Sequence, residues 1–130
     1  MLHYKGHLFG LAATTNSTLI IYNKDIFRQC GLDPEKYPRT LAELEYAAAK
    51  TSQYDNRGAF VRYGFRPGGL LGWGYVFGGR WYDEKTGRVT ANDPHNVEAL
   101  RWMQRWFRKY DIRKMETFEA GQGSAQTANG

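Results

Sequence analysis

Apolar residues in the first third of the chain come in short runs. Positions 8–13 and 18–22 are rich in aliphatic and β-branched residues and predict two strands. The stretch LIIYNKDIF then turns polar at Asn23-Lys24-Asp25. Asn23 is suited to cap a short helix that has Ile26, Phe27 and Cys30 on one side and Gly31 at its C-terminal end. After a turn-rich linker, Thr40 and Glu43 have the spacing of a capping box, and Leu41, Leu44 and Ala48 form the buried stripe of a helix ending near Tyr54. Residues 59–66 predict a further strand, broken by Pro67-Gly68-Gly69. An aromatic, glycine-spaced short helix and a small hairpin turning at 85–87 follow. Asp93-Pro94 opens the clearest helix. At 100° per residue, Ala99, Leu100, Trp102, Met103, Trp106, Phe107 and Tyr110 cover one arc and Arg101, Arg105 and Arg108 the other. From Glu119 onward the chain is polar and glycine-rich, which predicts a flexible tail or a chain cut in mid-structure. The order of elements predicts an α/β layered domain, its sheet covered by helices.

Composition narrows this little. A length of 130 residues suits one domain, and 42% hydrophobic with 24% charged residues is ordinary for a globular protein. The net charge of +5 admits anionic partners, but no Lys/Arg run reaches five residues, and scattered charge reads as a solvated surface. With Cys30 alone, an intrachain disulfide and a cysteine metal cluster are both excluded. No apolar run is long enough to span a membrane, and no signal-peptide pattern precedes residue 5, as expected of a cytosolic protein or a piece of a longer precursor.

The search for chemistry yields one cluster. His3 and His7 lie in an extended stretch where they do not converge on a metal. No nucleophile elbow, Walker-type lysine or dinucleotide fingerprint is present, and no carboxylate pair stands out by spacing. No catalytic residue and no cofactor is predicted. Trp73, Tyr75, Phe77, Trp81 and Tyr82 remain. Such rings suit either the apolar faces of sugar rings or core packing.

Four motifs in order resemble a known family. They are His7-Leu8-Phe9-Gly10-Leu11, Tyr22-Asn23-Lys24-Asp25, Gly31-Leu32-Asp33-Pro34, and Pro38-Arg39-Thr40-Leu41-Ala42-Glu43-Leu44. The arrangement resembles extracellular solute-binding proteins of bacterial ABC importers, family 1, the sugar-binding group that includes maltose-binding protein. Phe77-Gly78-Gly79, the helix after Asn92-Asp93-Pro94, and Phe118-Glu119-Ala120-Gly121 extend the likeness to about residue 121. Ser124-Ala125-Gln126-Thr127 departs from the family pattern.

The resemblance implies a periplasmic-binding-protein-like (type II) α/β lobe, a mixed sheet flanked by helices, incomplete relative to the two-lobe family fold. Residues 1–18 would be a hinge-proximal strand segment, 19–121 a partial second lobe, and 122–130 a truncated or flexible end. It implies a non-enzymatic receptor, periplasmic or a membrane-anchored extracellular lipoprotein. That receptor traps a small solute, a saccharide by preference, between two lobes and hands it to ABC permease subunits. Trp73, Tyr75 and Trp81 would stack on sugar and Asn16 would supply a polar contact, while Asn23, Lys24 and Asp25 are architecture. An isolated second lobe would bind ligand weakly or not detectably, and its uncovered hinge or cleft surface would favour homodimers. Two other readings stay open: a basic nucleic-acid-binding α/β module using Arg101, Arg105 and Arg108, and a fragment of a carbohydrate-active enzyme.

Overall fold

The structure, a computed structural model, describes residues 2–11, 13–14 and 17–128. It opens with a hairpin of β1 (Leu2–Tyr4) and β2 (His7–Gly10). Lys5 and Gly6 both take positive φ, 48° and 79°, as a two-residue turn matched to strand twist requires. Residues 17–22 form no strand, contrary to the prediction for 18–22. They make no backbone hydrogen bond to another described strand, and β-rich composition alone cannot make a ladder.

Three helical units follow. Helix α1 (Lys24–Gln29) starts where Asn23 accepts from the amides of Asp25 and Ile26, as predicted. Helix α2 (Leu41–Thr51) carries the full capping box: Thr40 Oγ1 accepts from the Glu43 amide and Glu43 Oε2 from the Thr40 amide. Strands β3 (Gln53–Tyr54) and β4 (Phe60–Arg62) make a second hairpin, and α3 (Leu70–Val76) leads into a third, β5 (Tyr82–Asp83) with β6 (Arg88–Val89).

Helix α4 (Pro94–Tyr110) is the spine of the core. Asp93 accepts from the His95 amide, Pro94 takes the first turn, and Ala99, Trp102, Met103, Trp106 and Tyr110 are buried together. Rings stack along it: Trp73 on Trp102 with centroids 4.5 Å apart, Trp102 on Trp106 at 5.4 Å, and Trp106 on Tyr110 at 5.0 Å. Asp111, at φ 57°, ends α4 and lets α5 (Ile112–Ala128) turn back. Met115 is fully buried, Phe118 meets Tyr63 edge-on, and Glu119 accepts from the Tyr63 hydroxyl at 2.8 Å while pairing with Arg66.

The α/β class is as expected, with one correction. The described strands form three separate two-stranded antiparallel ladders rather than one mixed sheet. Elements of two to four residues cannot cover a helix, so the core is built chiefly by α2, α3, α4 and α5. A second difference is α5 itself, which runs through Phe118-Glu119-Ala120-Gly121 although its glycines argue against a helix. Total accessible surface is 10387 Å², against about 7,000 Å² for a compact monomer of this mass. Before residue 23, Tyr4, Leu8, Phe9, Leu11, Leu19, Ile20 and Ile21 are all exposed.

Candidate ligand-facing site

The aromatic candidates centre on α3. At 100° per residue Leu70, Trp73 and Phe77 share one side, and all three pack on the core. Trp73 is held between Trp102 and Phe65. Leu71, Tyr75 and Val76 fall on the outer side and are exposed, Tyr75 at 61%. The short helix thus divides two neighbouring candidates, Trp73 turned inward and Tyr75 outward.

Trp81 joins the outer side by a close approach. A Cβ at Gly74 would meet the Trp81 ring at 2.5 Å and Asn96 Oδ1 at 2.6 Å, so only glycine admits this packing. The Trp81 indole N–H donates to the Leu71 carbonyl at 3.1 Å, fixing the ring against α3. Gly79 is constrained in the same way, since its Cβ would fall 2.0 Å from Asn96 Oδ1.

Asn96 locks the hairpin to α4. Its Nδ2 donates to the Arg80 carbonyl at 2.8 Å and the Thr90 carbonyl at 3.2 Å, and its side chain is almost wholly buried. Thr90 completes the frame, its Oγ1 donating to the Arg80 carbonyl and its amide to the Trp81 carbonyl. Sequence reasoning passed over Asn96. Its only signal is an uncharged amide on the apolar side of a helix, two residues after the helix-opening proline.

The charges nearby are structural. Hydrogen bonds from the Thr86 hydroxyl and the Lys85 amide hold the Asp83 carboxyl below its ordinary pKa and close the hairpin turn. The His95 amide, then its ring, lower that of Asp93, the cap of α4. No three His, Cys, Asp or Glu side chains gather to hold a metal among the described residues. Arg101, Arg105 and Arg108 are exposed on the outer side of α4, away from α3, and form no ion pair among the described residues. Asn16 lies outside the described residues. Tyr75 is thus exposed on α3, Trp81 packs against Gly74 one residue before it, and Trp73 lies on the core side.

A family model described as bacterial extracellular solute-binding protein matches residues 5–129. The sn-glycerol-3-phosphate-binding periplasmic protein UgpB of Escherichia coli K12 is 42% identical over 45 residues, 35% of this chain and 10% of UgpB. UgpB of Salmonella typhimurium LT2 is 37% identical over 68 residues, 52% of this chain and 14% of its own. Solved structures of CpMnBP1 with mannobiose and with mannotriose bound align with TM-scores of 0.67 and 0.66 at 34% and 32% identity. They cover 77% of this chain but only 26% and 27% of the CpMnBP1 chains. The chain thus spans a small part of the relatives it matches, and those relatives are binding proteins.

Proposed function

The chain belongs to the bacterial extracellular solute-binding protein family, and from that premise we propose that it forms part of a receptor that captures a saccharide for an ABC importer. Its fold is a partial periplasmic-binding-protein-like α/β lobe. The observation that carries the saccharide reading is the alignment with CpMnBP1 holding mannobiose, at 34% identity over 77% of this chain. Glycerol phosphate, which UgpB binds by name, is the competing ligand. The aromatic surface favours the sugar, because Tyr75 and Trp81 offer flat rings to C–H faces and the adjacent Arg80 lies near the carboxylates of Asp83 and Asp93.

In this reading Tyr75 and Trp81 stack on the saccharide, Trp73 contributes the edge its core contacts leave free, and Asn16 adds a polar contact. A second lobe would close over the ligand by binding it better in the closed state, and membrane permease subunits would then receive it outside the cytoplasm. Alone, this chain holds only part of those contacts. A titration of the 130-residue chain with mannobiose, followed by amide NMR, tests the idea. Expected are shifts confined to residues 70–82 and to the neighbourhood of Asn16, with no saturation below about 1 mM. Saturable micromolar binding would contradict the divided site, and shifts elsewhere, on the outer side of α4 for instance, would contradict the assignment.

A further inference from the structure

Asn96 is almost wholly buried on α4, yet its Oδ1 meets no hydrogen-bond donor among the described residues. An unpaired buried acceptor destabilises a fold, and a small apolar residue would avoid that cost. The same oxygen also restricts its surroundings. A Cβ would lie 2.6 Å from it at Gly74 and 2.0 Å from it at Gly79, so both positions are confined to glycine. Such departures from the locally most stable residue concentrate where a fold serves a function. We propose that Asn96 is a positioning residue for solute binding. It sets where Trp81 lies, and through Trp81 the affinity for saccharide, without touching the saccharide itself. The proposal rests on the reading of Trp81 as a ligand-facing ring.

The Nδ2 group holds the hairpin. Its two N–H groups reach both chains at the base of β5 and β6, the Arg80 carbonyl at 2.8 Å and the Thr90 carbonyl at 3.2 Å. Arg80 immediately precedes Trp81. Thr90 returns the contact, its amide donating to the Trp81 carbonyl at 3.0 Å. With two residues in each strand, this hairpin cannot keep its geometry unaided. Asn96 ties it to α4, the element that buries Ala99, Trp102 and Met103.

The ring follows from that frame. Trp81 packs on Gly74, and its indole N–H donates to the Leu71 carbonyl at 3.1 Å. Both contacts require the hairpin base to stay level with α3. Asn96 Oδ1 lies against Gly74 on α3 and against Gly79 on the connection to β5, so one side chain spaces α3, the hairpin and α4. A ring already held in place loses less freedom on stacking, and so binds a sugar more tightly than a ring free to swing.

NMR of the 130-residue chain tests the proposal, with the Trp81 indole signal assigned by its loss in Trp81→Phe. Without ligand, Asn96→Ala should retain its helical circular dichroism and speed exchange of the Trp81 indole N–H about fivefold or more. Thr90→Val removes the other donor to the Arg80 carbonyl and should speed it less. Thr40→Ala, which weakens the fold at the start of α2, should leave it unchanged. With mannobiose at about 1 mM, Asn96→Ala should reduce the shift of the Trp81 indole about threefold or more. Unchanged exchange in Asn96→Ala, a larger effect of Thr90→Val, or an equal effect of Thr40→Ala would each overturn the proposal. An undiminished mannobiose shift in Asn96→Ala would do the same. A wild-type indole indifferent to mannobiose would instead overturn the saccharide reading, and the ligand-free exchange would still decide whether Asn96 holds the ring.

Discussion

At Gly74 a single methyl group would disturb two neighbours at once. Gly74→Ala places a Cβ against the Trp81 ring and Asn96 Oδ1, and overpacking of this kind costs about 1–3 kcal/mol. The denaturation midpoint should fall accordingly, with Trp81 shifting its environment. Asn96→Ala should cost about 1–2 kcal/mol, since it removes two hydrogen bonds, to the Arg80 and Thr90 carbonyls, each worth about 0.5–1.5 kcal/mol. Each carbonyl keeps a second donor, the Thr90 hydroxyl or the Asp93 amide. A third residue-scale effect is acid-dependent. The Arg66 guanidinium and then the Tyr63 hydroxyl hold the Glu119 carboxyl below its ordinary value of 4.5. A depressed carboxyl stabilises the fold fully above that value, and the contribution is lost as pH falls through the lower folded value. Between neutral pH and acid, α5 should therefore loosen in the wild type, and Glu119→Gln should remove this part of the slope, read as the pH dependence of the melting temperature. At this scale the sequence identified which rings to watch but not which way they point. The spacing of Trp73 and Tyr75 places them 200° apart on any helix, yet the inward direction depends on α4, which spacing within α3 cannot reveal.

Elements were readable where the signal was local. The Thr40–Glu43 box, the Asn23 cap and the Asp93-Pro94 start are each specified by residues within one turn, and the structure forms all three. Thr40→Ala should accordingly destabilise the protein by about 1 kcal/mol, detectable as a lower denaturation midpoint with unchanged slope. Elements that depend on distant partners were not readable. Residues 18–22 look like a strand because Ile and Thr favour extended backbone, but a ladder needs a hydrogen-bonded neighbour, and none of the described strands pairs with them. Helix α5 was missed for the opposite reason. Its glycines oppose helix formation, whereas Met115 in the core and the Glu119 contacts with Tyr63 and Arg66 are tertiary and override propensity.

For the whole molecule, family membership was already visible as an ordered set of loose motifs, because capping and turn chemistry repeats wherever the same elements are joined in the same order. The ligand was less visible, since a cleft contact is made by a surface and not by a spacing. The distribution of buried side chains also sets how the molecule melts. Among the described residues the core runs from Phe27 to Met115, and residues 4–10 of the N-terminal hairpin contribute none to it. Removing residues 1–16 should move the melting temperature by less than about 4 °C while abolishing little of the helical signal, as thermal circular dichroism would read. A larger loss would mean that the hairpin supports the core.

The row of rings along α4 has an optical consequence. Trp73, Trp102 and Trp106 are three of the four tryptophans, with successive centroids 4.5 and 5.4 Å apart. At such separations excitation passes among the indoles before emission, so the stack behaves as one chromophore reporting on the α3–α4 unit. Trp81 is the fourth, and it borders the surface assigned to ligand. Trp81→Phe should therefore leave an emission that follows unfolding alone, and the difference from wild type isolates the ligand-facing ring. The first 22 residues contain no tryptophan. An experimenter watching indole emission would see the core dissolve and learn nothing of what the N-terminal segment had been doing.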